Sequence, residues 1–207
     1  MQKIFKVLLI IFSVLTVGLW CFALLSRQDG KETVYGEIII QETPDRTEST
    51  EHPLFIKEVY EPVVPEGDNI AEDAKIEANG YNDVYTPRKV KDGNPNGQSY
   101  WEGASDDYPN ILTASFEEGR SIHAVKLLLC PLSVWSTRTQ TFSVEISEDG
   151  ENFVEFLASA DYVFNPDKGN EVVLEFDDIT IRAIRFAFTG NTGASSAQVA
   201  ELEIYSR

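Results

Sequence analysis

Residues 142–153, FSVEISEDGENF, contain a strand and the turn that ends it. Phe142, Val144 and Ile146 alternate with polar residues, which is the period of a strand that buries one face. Residues 148–150, EDG, then supply a turn signal, because Asp and Gly favour the backbone conformations of tight turns. The same alternation recurs at 184–188 and 199–205, and turn residues stand at 165–170 and 190–193. Short strands separated by turns predict an all-β, antiparallel sandwich or barrel.

The N-terminal residues predict a membrane anchor. Residues 7–25 carry no charge and are almost wholly apolar, which suits a helix that crosses a bilayer. Lys3 and Lys6 precede this run, so the positive-inside rule keeps the N-terminus in the cytoplasm. We expect one transmembrane signal anchor over residues 1–26, in the cell membrane, with the C-terminal domain extracytoplasmic. A cleaved signal peptide is the alternative.

Residues 27–66 predict a flexible, acidic, Pro-containing linker. The stretch 41–50, QETPDRTEST, is polar and turn-rich, and Pro53, Pro62 and Pro65 follow it. Such a composition buries too little apolar surface to offset the entropy of ordering. Two short apolar runs, 37–40 and 55–59, are candidates for isolated strands or peripheral contacts. The folded domain is then expected over residues 67–207.

The charge balance narrows the classes of partner. The chain has 17 Lys+Arg against 34 Asp+Glu, a formal net charge of −17, so a nucleic-acid backbone would be repelled. The surplus carboxylates suit solubility, and some of them suit a hard cation. The sandwich segment holds one histidine, His123, and the sequence has no Gly-rich phosphate loop, G-x-S-x-G or H-E-x-x-H motif. We therefore expect a binding module and no enzyme.

Motifs along residues 67–207 resemble the discoidin, or factor V/VIII type C, domain, including the family-32 carbohydrate-binding modules. The matching pieces are NIA at 69–71, ANG at 78–80, KDGN at 91–94, SYWE at 99–102, FSVEISEDGENF at 142–153, IRF at 184–186 and ELEIY at 201–205. The resemblance implies a galactose-binding-like jelly-roll β-sandwich with a binding function. It does not extend to the first 66 residues.

The resemblance also implies a structural calcium ion between the Asp92-Gly93-Asn94 turn and the last strand. Calcium prefers several oxygen ligands, among them carboxylates and backbone carbonyls. The implied ligands are the side chains of Asp92 and Glu201, carbonyls near Lys89 and Asn94, an oxygen of Ser99, and the Ala200 carbonyl. An ordinary Asp-Gly turn beside an edge glutamate is the alternative.

Three loops carry residues suited to a glycan, at 79–85, 131–140 and 189–198. In the sugar-binding modules that this sequence resembles, such loops lie at one end of the sandwich. The expected contacts are Trp135 as a stacking platform, Arg138 as a hydrogen-bond donor, and Tyr81, Tyr85 and Asn191 as further ligand-binding residues. Alternatively, Trp135 and Arg138 form a packed cation–π pair. Trp101 is expected in the core.

The sequence therefore predicts a non-catalytic carbohydrate-binding module on the outer face of the cell membrane. Its partners would be a glycan or polysaccharide and, through the N-terminal helix, the membrane. A cell-surface adhesion module for a protein partner is the alternative. The first loop lacks a histidine and Leu132 stands after Pro131, so the motifs do not imply specificity for terminal galactose. The glycan and the oligomeric state stay open.

Overall fold

The computed structural model describes residues 39–41, 60–132 and 134–207, all within the unit Tyr35–Arg207. The predicted transmembrane anchor lies outside these residues, and so does most of the predicted linker. Among the residues that are described, no helix is long and apolar enough to cross a bilayer.

The described residues form β-strands and short 3-10 helices. The strands are β1 (Ile39–Gln41), β2 (Asp68–Asn69), β3 (Lys75–Ala78), β4 (Trp101–Glu102), β5 (Asn110–Leu128), β6 (Arg138–Ser147), β7 (Val154–Phe164), β8 (Glu171–Asn191), β9 (Gln198–Val199) and β10 (Glu201–Ser206). The 3-10 helices are Ala71–Asp73, Pro87–Lys91 and Pro166–Lys168.

Two long antiparallel strands, β5 and β8, run through both layers of a sandwich. The start of β5 (110–115) pairs with the end of β8 (183–188), and this layer continues to β3 on one side and to β6 and β7 on the other. The end of β5 (124–128) pairs with the start of β8 (171–175), beside β10, β2 and β1. Register shifts between Ser115 and Arg120 mark the passage from one layer to the other. The prediction of an all-β antiparallel sandwich is confirmed.

The core lies between the inner faces of the two layers. Along β6 the residues alternate between buried and half-buried positions, as the sequence pattern predicts. Phe142 of β6 and Phe188 of β8 pack at 5.0 Å between ring centroids. Trp101 is fully buried in the same cluster, and its indole N–H donates to the Gly80 carbonyl at 3.1 Å. The expectation that Trp101 belongs to the core is confirmed.

Parts of the predicted linker are attached to the sandwich. Residues 39–41 form β1 and pair with β8. Residues 60–66, here called the entry segment, contact the outer face of the layer that contains β10. The Tyr60 hydroxyl and the Val63 amide both donate to the Glu171 carboxylate, the latter at 2.8 Å. Glu171 also forms a buried ion pair with Lys126 at 2.8 Å. The entry segment therefore packs as part of the folded unit.

Candidate functional site

An aromatic stack joins the first two of the loops predicted to bind a ligand. Tyr85 stacks on Tyr100 with 4.4 Å between ring centroids, and Tyr100 meets Trp135 edge-on at 4.7 Å. The Trp135 amide donates to the Leu132 carbonyl at 2.9 Å, which closes the turn that leads to Trp135. Because Trp135 is only partly buried, part of its surface remains accessible at the end of the sandwich.

Arg138 begins β6 and lies beside this stack. Its guanidinium lies over the Trp135 ring, 4.9 Å from the centroid. It also donates to the Gln198 side-chain oxygen at 2.6 Å and to the Ser136 carbonyl at 3.2 Å. Burial lowers the pKa of Arg138 from its usual value, while the Tyr100 hydroxyl acts in the opposite direction. The predicted alternative, a packed cation–π pair of Trp135 and Arg138, is present in the structure.

Asn191, at the end of β8, brings the third loop to the same place. Its amide donates to the Ser196 carbonyl at 2.8 Å and to the Gln140 side-chain oxygen at 3.3 Å. Gln140 is fully buried, and it exchanges two hydrogen bonds of 2.8 Å with the backbone of Gln198. These amides fix the third loop against β6, close to the side-chain partner of Arg138.

The two predicted tyrosines of the first loop occupy different environments. Tyr85 is half-buried, with Tyr100 on its ring and the Lys89 ammonium 5.3 Å from its centroid. Tyr81 lies in the same loop and is 52% exposed. The structure thus brings Tyr85, Trp135, Arg138 and Asn191 into one neighbourhood, and it leaves Tyr81 as an accessible aromatic ring on the first loop.

The sequence prediction missed Tyr100 and Glu102, which complete this cluster. Glu102 accepts a hydrogen bond from the Ser196 hydroxyl at 3.1 Å and lies 3.5 Å from the Tyr100 hydroxyl. Burial, followed by hydrogen bonding to Tyr85 and the charge of Glu102, raises the pKa of Tyr100. The strand period contained the signal: Trp101 points into the core, so residues 100 and 102 must point away from it.

The residues of the predicted calcium site form a second cluster. The Asn94 amide donates to Asp92 at 2.9 Å and to Glu201 at 2.7 Å, so one backbone N–H binds both carboxylates. The Ser99 hydroxyl donates to the other Asp92 oxygen. The loop that contains Asp92 and the strand that contains Glu201 are therefore in contact although they are far apart in sequence.

Glu201 is buried in this cluster, 5% exposed. Burial, then contact with the Asp92 carboxyl, raises its pKa to about 8, against the lowering effect of the Asn94 amide. Asp92 is exposed, but its carboxyl lies against that of buried Glu201, so the two repel each other when both are ionised. A divalent cation relieves that repulsion. The donor chemistry of Asp92, Glu201 and Ser99 fits calcium.

The other predicted ligands flank this pair. The Lys89 carbonyl accepts the Asp92 amide at 3.4 Å, while the Lys89 ammonium donates to the Gln98 carbonyl at 2.7 Å. The Ala200 amide donates to the Leu128 carbonyl at 2.7 Å. A cavity of about 120 Å³ opens beside Gly93 and Glu201. Among the described residues, no group of three or more His, Cys, Asp or Glu side chains could hold a metal, so carbonyl and hydroxyl oxygens would have to supply the remaining ligands.

An antiparallel β-sandwich with aromatic and amide side chains clustered in the loops at one end is the architecture of a class of binding modules. Residues 74–202 match the F5/8 type C domain, and the chain belongs to that family. This confirms the resemblance read from the sequence motifs. No curated protein matches the chain.

The solved structures that are similar to this chain include several carbohydrate-binding modules. The CBM32 of AlyQ in complex with 4,5-unsaturated mannuronic acid has a TM-score of 0.52 and 21% identity, covering 68% of this chain and 98% of that chain. A pectin-binding carbohydrate-binding module has a TM-score of 0.53 and 21% identity, covering 64% and 89%. CpGH89CBM32-5 from Clostridium perfringens, in complex with GalNAc-β-1,3-galactose, has a TM-score of 0.55 and 17% identity, covering 66% and 97%. At these identities the likeness establishes the CBM32-like fold.

Proposed function

We propose that the domain is a non-catalytic carbohydrate-binding module that binds a glycan at the loop end of the sandwich. The observation that carries the proposal is the cluster of Tyr85, Tyr100, Trp135 and Arg138 beside Asn191. An accessible indole offers a flat apolar surface to the C–H face of a sugar ring, and neighbouring amides and hydroxyls can bind its hydroxyl groups. The CBM32 structures that bind sugars support this assignment by their shared fold.

A shallow site of this kind should bind weakly. Hydrogen bonds to sugar hydroxyls replace hydrogen bonds to water, so each adds little to the free energy of binding. Stacking on one partly covered indole supplies a limited apolar area. Useful binding then requires many copies acting together, because linked sites raise the effective concentration of ligand.

A glycan array tests the proposal, followed by titration of any bound glycan with the unit 35–207. Trp135→Ala should abolish measurable binding and leave the melting temperature nearly unchanged, because Trp135 is only partly buried. Val154→Ala is the matched control, since Val154 is 51% exposed and pairs with Ile146, at the other end of β6 from Arg138. Capture of a protein on the same surface without any glycan would replace this function by adhesion.

We also propose that the module is held outside the cell membrane by residues 1–26. The support is the uncharged apolar run that follows Lys3 and Lys6. Protease treatment of intact cells should then remove the domain and leave the N-terminal segment in the membrane. Protection of the domain from the protease would overturn this orientation, and a secreted form that starts after residue 25 would indicate a cleaved signal.

We propose a structural calcium ion at the second cluster, bound by the carboxylates of Asp92 and Glu201. Lys89, Asn94, Ser99 and Ala200 would provide further oxygens. Such an ion would neutralise the paired carboxylates and join the 89–99 loop to β10. Its role is to hold these two parts of the chain together, and no chemical step is assigned to it.

A further inference from the structure

The connection between β7 and β8, residues 165–170, contacts the loop that carries Trp135. This loop, residues 130–132 and 134–137, is here called the Trp135 loop. Asn170 is fully buried in the connection, with its backbone in the left-handed region at φ 54°. Its backbone N–H donates to the Asn165 carbonyl at 2.8 Å, and its backbone carbonyl accepts from the Leu129 N–H at 2.8 Å. The backbone of Asn170 thus meets the chain where the Trp135 loop begins.

The Asn170 side chain joins the two ends of the Trp135 loop. Its Nδ2 donates to the Cys130 carbonyl at 2.7 Å and to the Trp135 carbonyl at 3.3 Å. Within the described residues its Oδ1 is buried without a hydrogen-bond partner, which costs free energy. The Asn170 side chain therefore stabilises the fold only through the two hydrogen bonds that its Nδ2 donates. The amide closes the loop across the residues that precede the indole.

The opposite side of the same connection supports the entry segment. Gly169 adopts φ 72°, and a Cβ there would collide with the Tyr60 ring. Glu171 accepts hydrogen bonds from the Tyr60 hydroxyl and the Val63 amide. Gly169 and Glu171 therefore contact the entry segment, and Asn170 between them contacts the Trp135 loop.

We propose that Asn170 is a positioning residue for the glycan site and that the entry segment, docked on Gly169 and Glu171, holds Asn170 in place. The inference rests on the proposed function, because it concerns the loop assigned to the glycan. It assigns a role in binding to two parts of the chain that do not contact the ligand.

Asn170→Gly in the full-length chain, purified in detergent, tests the proposal. Glycine keeps the left-handed backbone and removes only the side-chain amide. Fluorotryptophan labelling gives one ¹⁹F resonance each for Trp20, Trp101 and Trp135, which single Trp→Phe variants assign. The Trp135 resonance should shift or broaden while that of Trp101 stays, and the dissociation constant for the array-selected glycan should rise about tenfold.

Asn69→Ala is the matched control, because Asn69 accepts hydrogen bonds from Ala71 and Ile204 and makes no contact with the Trp135 loop among those described. It should lower stability and leave both readouts unchanged. Tyr60→Ala should move the Trp135 resonance in the same direction as Asn170→Gly and by less. It also supplies the test if Asn170→Gly fails to fold.

A failure of the proposed glycan-binding function and a failure of the positioning role of Asn170 give different results. If the wild-type chain binds no glycan, the proposed function is wrong, and the Trp135 resonance alone decides the positioning role. If the wild-type chain binds a glycan and Asn170→Gly leaves both the resonance and the affinity unchanged, the positioning role of Asn170 is wrong. An unmoved resonance in Tyr60→Ala would overturn the part assigned to the entry segment.

Discussion

The buried ion pair of Lys126 and Glu171 gives a sharp test of how the entry segment is attached. The two side chains are 4% and 3% exposed, and Nζ lies 2.8 Å from Oε2. Lys126 also donates to the Val63 carbonyl at 2.8 Å, while Glu171 accepts from the Val63 amide and the Tyr60 hydroxyl. Both charges are thus paired with each other and with the same short segment.

Lys126→Met should be strongly destabilising. Methionine fills most of the volume of the lysine stem and leaves the Glu171 carboxylate buried without its cation. Removing one partner of a buried pair costs about 3–5 kcal/mol. Domains of this size unfold with only about 5–15 kcal/mol, so the change removes a large share of the stability. With a urea slope of roughly 2 kcal/mol/M, the unfolding midpoint should fall by about 2 M.

A second variant separates the buried charge from the loss of packing. Lys126→Met combined with Glu171→Gln has no charge at this place, and the amide oxygen can still accept from Tyr60 and Val63. The double variant should therefore recover most of the loss in urea unfolding of residues 35–207. A Lys126→Met variant that loses less than about 1 kcal/mol would refute the reasoning, since breaking a buried pair is expected to cost several times more. So would a double variant as unstable as the single one.

Two further predictions concern the two clusters. Gly193→Ala should weaken glycan binding with little loss of stability, because the new Cβ would lie 2.8 Å from Arg138 Nε and must displace the guanidinium. Titration measures the loss of binding, and thermal unfolding measures the change in stability. In the absence of metal, the Glu201 carboxyl of the folded state has a pKa of about 8, whereas in the unfolded chain it has its ordinary pKa of 4.5. Between these two pH values the folded state therefore keeps a proton that the unfolded chain releases. The stability from this group is therefore complete below pH 4.5 and is lost as pH rises through about 8. Calcium should then raise the melting temperature little at pH 5 and most above pH 8. Asp92→Ala and Glu201→Ala should each abolish this rise. A rise that survives both substitutions would show that calcium binds elsewhere.

The strands and turns were predictable because their signals are local. In FSVEISEDGENF, alternation gives β6 and the turn follows from Asp149, whose carboxylate accepts the amides of residues 151 and 152 at 2.8 Å. The passage of β5 and β8 through both layers was not predicted. A strand that changes layer keeps its alternation on each side of the shift, so the pattern reads as two short strands.

The loops of the candidate site were predictable as a set, but their mutual contacts were not. Trp135 and Arg138 are near in sequence, whereas Tyr100 reaches them only through the fold. Composition predicted the entry segment as linker, because its contacts with Glu171 span more than a hundred residues. One local sign was available: Lys126 interrupts an apolar strand, and a buried lysine requires a partner.

The candidate glycan site is held mainly by groups that the ligand would not touch. Arg138 is fixed by Gln198 and Ser136, and Asn191 by Gln140 and Ser196, so their donors are arranged before a sugar arrives. A preformed site loses little side-chain entropy on binding, which partly offsets its small contact area. The same arrangement limits how far the site can adapt to different glycans, because two N–H donors of Arg138 are already bound to Gln198 and Ser136. Discrimination among glycans should therefore depend chiefly on the accessible side chains at the rim, Tyr81 and Trp135, and changes there should alter specificity at smaller cost to stability than changes at Gln140 or Gln198.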